Sequence, residues 1–146
     1  MRVLVQRVRR ARVSVAGEEV GAIGPGLALL VGVHTDDGDE QVRFCAGKCA
    51  HLRIMADDQG RMNRSVLETG GQVLAVSQFT LYGDCRRGRR PGFTAAAPPE
   101  RAEDLYDAFC HHLETLGLTV ARGRFGAHML VEIDNDGPVT LMVENP

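Results

Sequence analysis

Two short apolar stretches, residues 27–33 and 73–76, constrain the fold of this chain more than any other feature. Each follows a glycine-rich break, Gly24-Pro25-Gly26 before the first and Gly70-Gly71 before the second. A half-exposed strand alternates apolar and polar side chains, and a surface helix repeats them every three or four residues. Runs without such a rhythm fit a strand covered on both faces, so the sheet that holds them needs a second layer. Two helices for that layer are legible. After Asp36-Asp37-Gly38-Asp39, residues Val42, Cys45, Ala46, Cys49 and Leu52 recur at helical spacing. Pro98-Pro99-Glu100 opens the other, with Ala102, Leu105, Tyr106, Phe109, Leu113 and Leu116 on one face and Gly117 placed to stop it.

Residues 2–8 and 11–16 alternate in strand fashion, with Val3 and Val5, then Val13 and Val15, on repeating faces. Gly17-Glu18-Glu19 reads as a turn, and residues 20–23 continue the meander. Residues 73–81 read as one strand with an apolar start and a polar end. Residues 129–133 and 139–143 read as two further strands around Asn135-Asp136-Gly137-Pro138. The expected fold class is α+β: a single compact domain over residues 1–146, with a barrel-like sheet and two main helices.

Composition narrows the setting. No apolar run approaches the roughly 18 residues of a membrane span, and the opening arginines precede no apolar segment of signal-peptide type. The expectation is a cytoplasmic protein without a membrane partner, whose four cysteines stay thiols. A formal net charge of −2 argues against coating DNA or RNA by overall charge. The positive charge is nevertheless clustered, in Arg2, Arg7, Arg9, Arg10 and Arg12 and again in Arg86, Arg87, Arg89 and Arg90. Lys48 is the only lysine. Genomic preference for arginine explains that scarcity but not the clustering.

Several chemistries lack a motif. Cys45 and Cys49 lie one helical turn apart, but they share an apolar stripe with Val42 and Leu52 while His51 points elsewhere, so a core pair is expected and no metal site. His111 and His112 sit in no HExxH frame, and there is no GxSxG elbow, GxGxxG loop or P-loop. More informative is Ser77-Gln78-Phe79-Thr80-Leu81. On a strand Gln78 and Thr80 share one face, and Ser77, Phe79 and Leu81 the other, so polar groups would line a cavity beside an aromatic ring. Taken alone, a Gln and a Thr satisfied by neighbouring backbone explain the segment as well. In Asn135-Asp136-Gly137-Pro138-Val139-Thr140 the Gly-Pro pair reads either as a plain turn or as a cis bond that fixes the direction of its carbonyls.

Together, SQFTL and NDGPVT make the chain resemble the D-aminoacyl-tRNA deacylase family. The resemblance extends over residues 2–8, Gly60-Arg61-Met62-Asn63, Arg89-Arg90-Pro91-Gly92-Phe93, and Phe125-Gly126-Ala127 followed by Met129. Gly92, Met55 and Arg122 depart from it, where Ser, an aromatic and Thr are common. It implies a homodimer whose active sites form at the subunit interface. The SQFTL strand of one chain would line the pocket, and the partner's Gly137-Pro138, in cis, would turn its carbonyls toward the α-carbon of the substrate. An L side chain would collide with that main chain, so selection works by exclusion. Glycyl-tRNA, lacking a side chain, would pass the filter as a secondary substrate.

The implied reaction is hydrolysis of the ester between a D-amino acid and the terminal adenosine of tRNA. Water is the nucleophile, assisted by the substrate's 2′-hydroxyl, with no metal or organic cofactor. Backbone N–H groups at Phe79 and Thr80 are the expected oxyanion donors, and Thr80 is assigned a positional role because no histidine or lysine in the motif activates it. Ser77, Gln78, Phe79, Thr80, Met129, Gly137 and Pro138 are the expected substrate-binding residues. Arg86, Arg87, Arg89 and Arg90 are expected to meet phosphates at the acceptor end of tRNA. Two other readings are a tRNA deacylase or synthetase-attached editing module with relaxed chirality, and a non-catalytic RNA-binding protein whose arginine clusters form the main surface.

Overall fold

A computed structural model describes residues 1–146. Its spine is β1 (Arg2–Val15), which pairs antiparallel with β8 (Met129–Glu144) along one edge. The other edge is shared: β3 (Gly26–Gly32) takes Arg2 to Val8, and β2 (Glu18–Ile23) takes Ala11 to Val15. β6 (Gln72–Ser77) runs parallel to β3, and β7 (Val120–Arg122) parallel to β6, giving the order β2-β1-β3-β6-β7 with β8 on the far side of β1. A small hairpin, β4 (Met55–Ala56) and β5 (Met62–Arg64), stands apart from this sheet.

Both faces of the sheet are covered, as the apolar runs require. Leu27, Leu29 and Val31 of β3 and Val73 and Ala75 of β6 point toward the helices α1 (Asp39–His51) and α3 (Pro99–Thr115). The alternate residues Ala28, Leu74 and Val76 point the other way and meet Val8, Ala11, Val13 and Ile23 inside the curled sheet. Val3 and Val5 face the helices while Ala11 and Val13 face the inner cluster, although regular alternation would put all four on one side. A register shift against β8 between Val8 and Arg10 supplies the extra step. Phe109, fully buried on α3, fills the helical layer, and truncating it to alanine is worth about 3–5 kcal/mol of lost stability.

Several sequence expectations change. Residues 2–15 form one long strand, because no turn residue interrupts the register shift, and the turn after it is Ala16-Gly17, with Glu18 and Glu19 already in β2. Residues 129–133 and 139–143 likewise belong to one strand carrying a bulge, so the Gly-Pro pair is neither a plain turn nor a strand break. The strand expected over residues 73–81 stops at Ser77, and Phe79–Tyr82 forms a 3₁₀ turn instead. The two expected helices are present, and a further four-residue helix, α2 (Val66–Thr69), is capped by Ser65, which accepts the Glu68 N–H. Asp37 is not a cap but is buried, accepting from the Met1 amino group (2.7 Å) and the His34 N–H (2.7 Å). Gly38 caps α1, with the Gln41 side chain accepting its N–H (2.8 Å).

Candidate active site

The polar end of β6 is where the chain changes course. Gln78 donates its backbone N–H to Val31 O (2.8 Å), the last rung of the β6 ladder, and the 3₁₀ turn begins at the next residue. The turn packs tightly against Gly32, where an added Cβ would lie 3.0 Å from Leu81 Cβ and 3.1 Å from Gln78 O. Arg2 clamps the far side, donating to Leu81 O (3.0 Å) with its guanidinium 4.6 Å above the Tyr82 ring. A consequence follows for the backbone. The Leu81 N–H bonds back to Gln78 O, but the N–H groups of Phe79 and Thr80, the first two of the turn, have no protein partner. They form an adjacent pair of free donors at the end of a rigid strand.

The turn also reassigns the side chains. Gln78 Nε2 donates to Thr80 Oγ1, so the amide and the hydroxyl satisfy each other instead of lining one strand face. No histidine or lysine hydrogen-bonds Thr80. Ser77, Gln78, Phe79 and Met129 line a cavity of about 690 Å³, and Thr80, Gly137 and Pro138 are outside its lining. The walls are mostly apolar. Phe79 stacks edge-on against Phe93 (5.1 Å between ring centres), the start of α3 contributes Pro98, Pro99 and Ala102, and Phe125 closes another side. Gly123 lets the segment after β7 cross close to the floor, since a Cβ there would come within 2.8 Å of Met129 Sδ. His128 is the only lining residue that can carry charge. Phe93, Phe125 and His128 were not among the expected site residues, because they come from segments far from SQFTL in sequence.

Gly137 and Pro138 stand on the bulge of β8. Gln6 pairs with Thr140 and Val8 with Asn135, so four residues of β8, Asp136 to Val139, lie opposite the single residue Arg7. The Gly137-Pro138 bond is cis, and both residues are exposed. The Arg7 side chain holds the first limb of the bulge. Arg7 Nε donates to Asp136 O (3.1 Å) and pairs with its carboxylate (3.2 Å), while Arg7 Nη1 donates to Ile54 O (2.9 Å). Along β8 the bulge lies six residues beyond Val131, roughly 20 Å at the strand rise per residue, which explains its absence from the cavity of its own chain.

The two arginine clusters differ in kind. Arg2, Arg10 and Arg12 pair across the β1–β8 ladder with Glu144, Asp134 and Glu132, a row of solvent-facing ion pairs. The hydrogen bond from Arg12 holds the Glu132 carboxyl below the usual carboxylate range. The second cluster rides on a loop whose root is pinned by two backbone hydrogen bonds between Asp84 and Gly92 (2.7 and 3.0 Å). Gly92 of that root is followed directly by Phe93, which lines one wall of the cavity. Arg86 is engaged by Asp84, whose carboxyl its hydrogen bonds hold down at about 2, whereas Arg87, Arg89 and Arg90 have no carboxylate partner.

A motif-bearing turn, a cavity walled by aromatics and a braced Gly-Pro bulge coincide with the segments that carried the resemblance. Comparison with known proteins decides what the coincidence means. The family model described as D-Tyr-tRNA(Tyr) deacylase matches residues 4–144. The chain belongs to this family. D-aminoacyl-tRNA deacylases of Heliobacterium modesticaldum and Brevibacillus brevis are 65% and 61% identical to it, over 99% of this chain and 96% and 100% of theirs. The deacylase fold recurs in the c-Myc DNA unwinding element binding protein, with a TM-score of 0.95 at 39% identity over 100% and 99% of the two chains. A probable eukaryotic D-amino acid tRNA deacylase shares the fold alone, at a TM-score of 0.85 and 22% identity, with 99% and 98% covered. This deacylase is therefore a hydrolase of the ester bond in D-aminoacyl-tRNA, and its binding of tRNA follows from the family.

Proposed function

We propose that the functional unit is a pair of chains, in which the Gly137–Pro138 main chain of each copy enters the cavity of the other and excludes L-amino acids there. One observation carries this reading: the bulge is exposed and firmly held, yet it lies outside the cavity built by its own chain. The outer edge of β8 supports it. This edge is unpaired over sixteen residues and carries the exposed side chains of Leu130, Leu141 and Met142, a surface that soluble proteins cover. A main-chain wedge also suits an enzyme that accepts many side chains, because the α-carbon is what its substrates share. The same wedge admits glycine, so glycyl-tRNA is a secondary substrate.

Chemistry at the carbonyl follows from the free donors. The ester carbonyl docks on the Phe79 and Thr80 N–H groups, which stabilise the oxyanion formed when water attacks. Water adds to the carbonyl carbon, the tetrahedral intermediate expels the ribose oxygen, and that oxygen takes a proton as the acid and tRNA separate. The neighbouring 2′-hydroxyl of the substrate assists. Thr80 positions Gln78 and is not the nucleophile. The arginine loop, rooted at the cavity wall with three unpaired guanidinium groups, holds phosphates of the acceptor end. Deacylation of D-Tyr-tRNA and L-Tyr-tRNA measured side by side tests the assignment. Release from the D ester alone supports it. Equal release from both favours a deacylase of relaxed chirality, and release from neither favours a non-catalytic RNA binder.

A further inference from the structure

The bulge that carries Gly137 and Pro138 faces an elementary difficulty. Four residues opposite one leave main-chain groups without ladder partners, and an exposed loop of this kind ordinarily samples many shapes. A steric filter cannot tolerate that freedom, since discriminating hydrogen from carbon at one centre requires main chain fixed to a fraction of an ångström. Arg7 restrains only the first limb, through Asp136. The second limb returns to the ladder through Val139.

Asn135 is placed to restrain it. Its side-chain amide donates one hydrogen to Arg7 O (2.9 Å), on the facing strand, and the other to Val139 O (3.1 Å), at the far foot of the bulge. One NH₂ group therefore ties three points together: the residue before the bulge, the residue that closes it and the strand opposite. The other atom of the same amide, Oδ1, lies under the crest, 3.0 Å from where a Cβ on Gly137 would stand. Asn135 thus sets the width of the bulge with its nitrogen, while its oxygen lies close to Gly137. No other residue type offers two donors and an acceptor on so short a stem, and aspartate, its isostere, would turn a carboxylate oxygen toward two carbonyl oxygens.

We infer that Asn135 is a positioning residue for chiral discrimination, acting through the Gly137–Pro138 main chain without touching substrate. The inference rests on the proposed role of that main chain as the filter. Losing Asn135 loosens the wedge, so the pocket admits L esters that the native enzyme excludes and holds D esters less well.

The readout is the ratio of D-Tyr-tRNA to L-Tyr-tRNA deacylation rates on one preparation, which cancels differences in the fraction of folded protein. For Asn135→Asp this ratio is expected to fall by on the order of tenfold or more, as the loss of two hydrogen bonds allows. The melting temperature is expected to change little, because the bulge lies at the surface. Asn135→Ala, which removes the donors without adding charge, reads the same ratio should the aspartate variant not fold. Pro138→Gly is measured in parallel, because it frees the same main chain while leaving the brace intact. A reduced ratio in both the Asn135 and Pro138 variants supports the proposal. An unchanged ratio for Asn135 variants beside a reduced ratio for Pro138→Gly overturns it and leaves the filter standing. An unchanged ratio in all of them overturns the filter itself, and the brace with it.

Discussion

At the scale of single residues, Thr80 separates two mechanisms by magnitude alone. If Thr80 only receives the Gln78 amide hydrogen bond, Thr80→Ala removes a contact of about 1 kcal/mol and the deacylation rate falls by no more than about tenfold. Loss of an attacking nucleophile costs on the order of 10⁴-fold or more, so a single-turnover assay with D-Tyr-tRNA distinguishes the cases. Gly137 gives the opposite expectation. A valine side chain there meets Asn135 Oδ1 at 3.0 Å and projects from the crest, and Gly137→Val is expected to abolish deacylation while the melting temperature stays near that of the native protein. The cysteines offer a third check. Burial pushes the Cys45 and Cys110 thiols up to about 11 and raises Cys49 as well, while Cys85 is exposed. Near pH 8 the three buried thiols stay protonated and inaccessible, so a thiol-specific reagent is expected to modify one cysteine rapidly in native protein and all four in denaturant. Rapid modification of more than one would contradict the buried environment. In the sequence SQFTL alone also reads as a satisfied strand end and NDGPVT alone as a plain turn, so the two became legible as a site only through their joint resemblance to the family. The free N–H pair at Phe79 and Thr80 was expected only by family resemblance, and its geometric cause, a 3₁₀ turn, leaves no hydrophobic periodicity to read.

Among the elements, the continuous apolar runs fixed β3 and β6 well, since covering both faces of a strand removes its alternation. Helices α1 and α3 were equally legible from their apolar stripes. The short elements were not: β7 has three residues, the β4–β5 hairpin has strands of two and three, and neither length supports a periodicity. Strand β8 was divided in two because its bulge mimics a turn when read one strand at a time. The partner strand reveals the difference, since β1 runs on without a break and pairs with β8 on both sides of the bulge, the register shifting across it. The arginine loop belongs to this scale too. Its root at Asp84 and Gly92 leads directly into Phe93, which lines the cavity, and the proposed role of unpaired Arg87 and Arg90 is to hold tRNA phosphates there. Replacing both with alanine is expected to weaken tRNA binding and to reduce the slope of log K against log salt by about 1.5–2. Equal weakening of Arg10 and Arg12 variants, which already pair with Asp134 and Glu132, would point instead to a general charge effect.

For the whole molecule, one chain supplies both the cavity and the Gly137–Pro138 bulge proposed as its wedge but does not bring them together. Oligomeric assembly leaves little trace in a single sequence, since apolar residues that face a partner alternate like those that face a core. The proposed pairing of chains is argued from the exposed edge of β8 and from the distance between the bulge and the cavity of its own chain. Complementation between two inactive variants tests it directly. Ala96→Trp fills the cavity and leaves the bulge intact, whereas Gly137→Val spoils the bulge and leaves the cavity open. Random pairing after co-expression makes half of the dimers mixed, each with one intact site, so D-Tyr-tRNA deacylation is expected to recover to about a quarter of the native level. Recovery of that size, without hydrolysis of L-Tyr-tRNA, is the predicted result; no recovery above either variant alone would contradict a site shared between two copies.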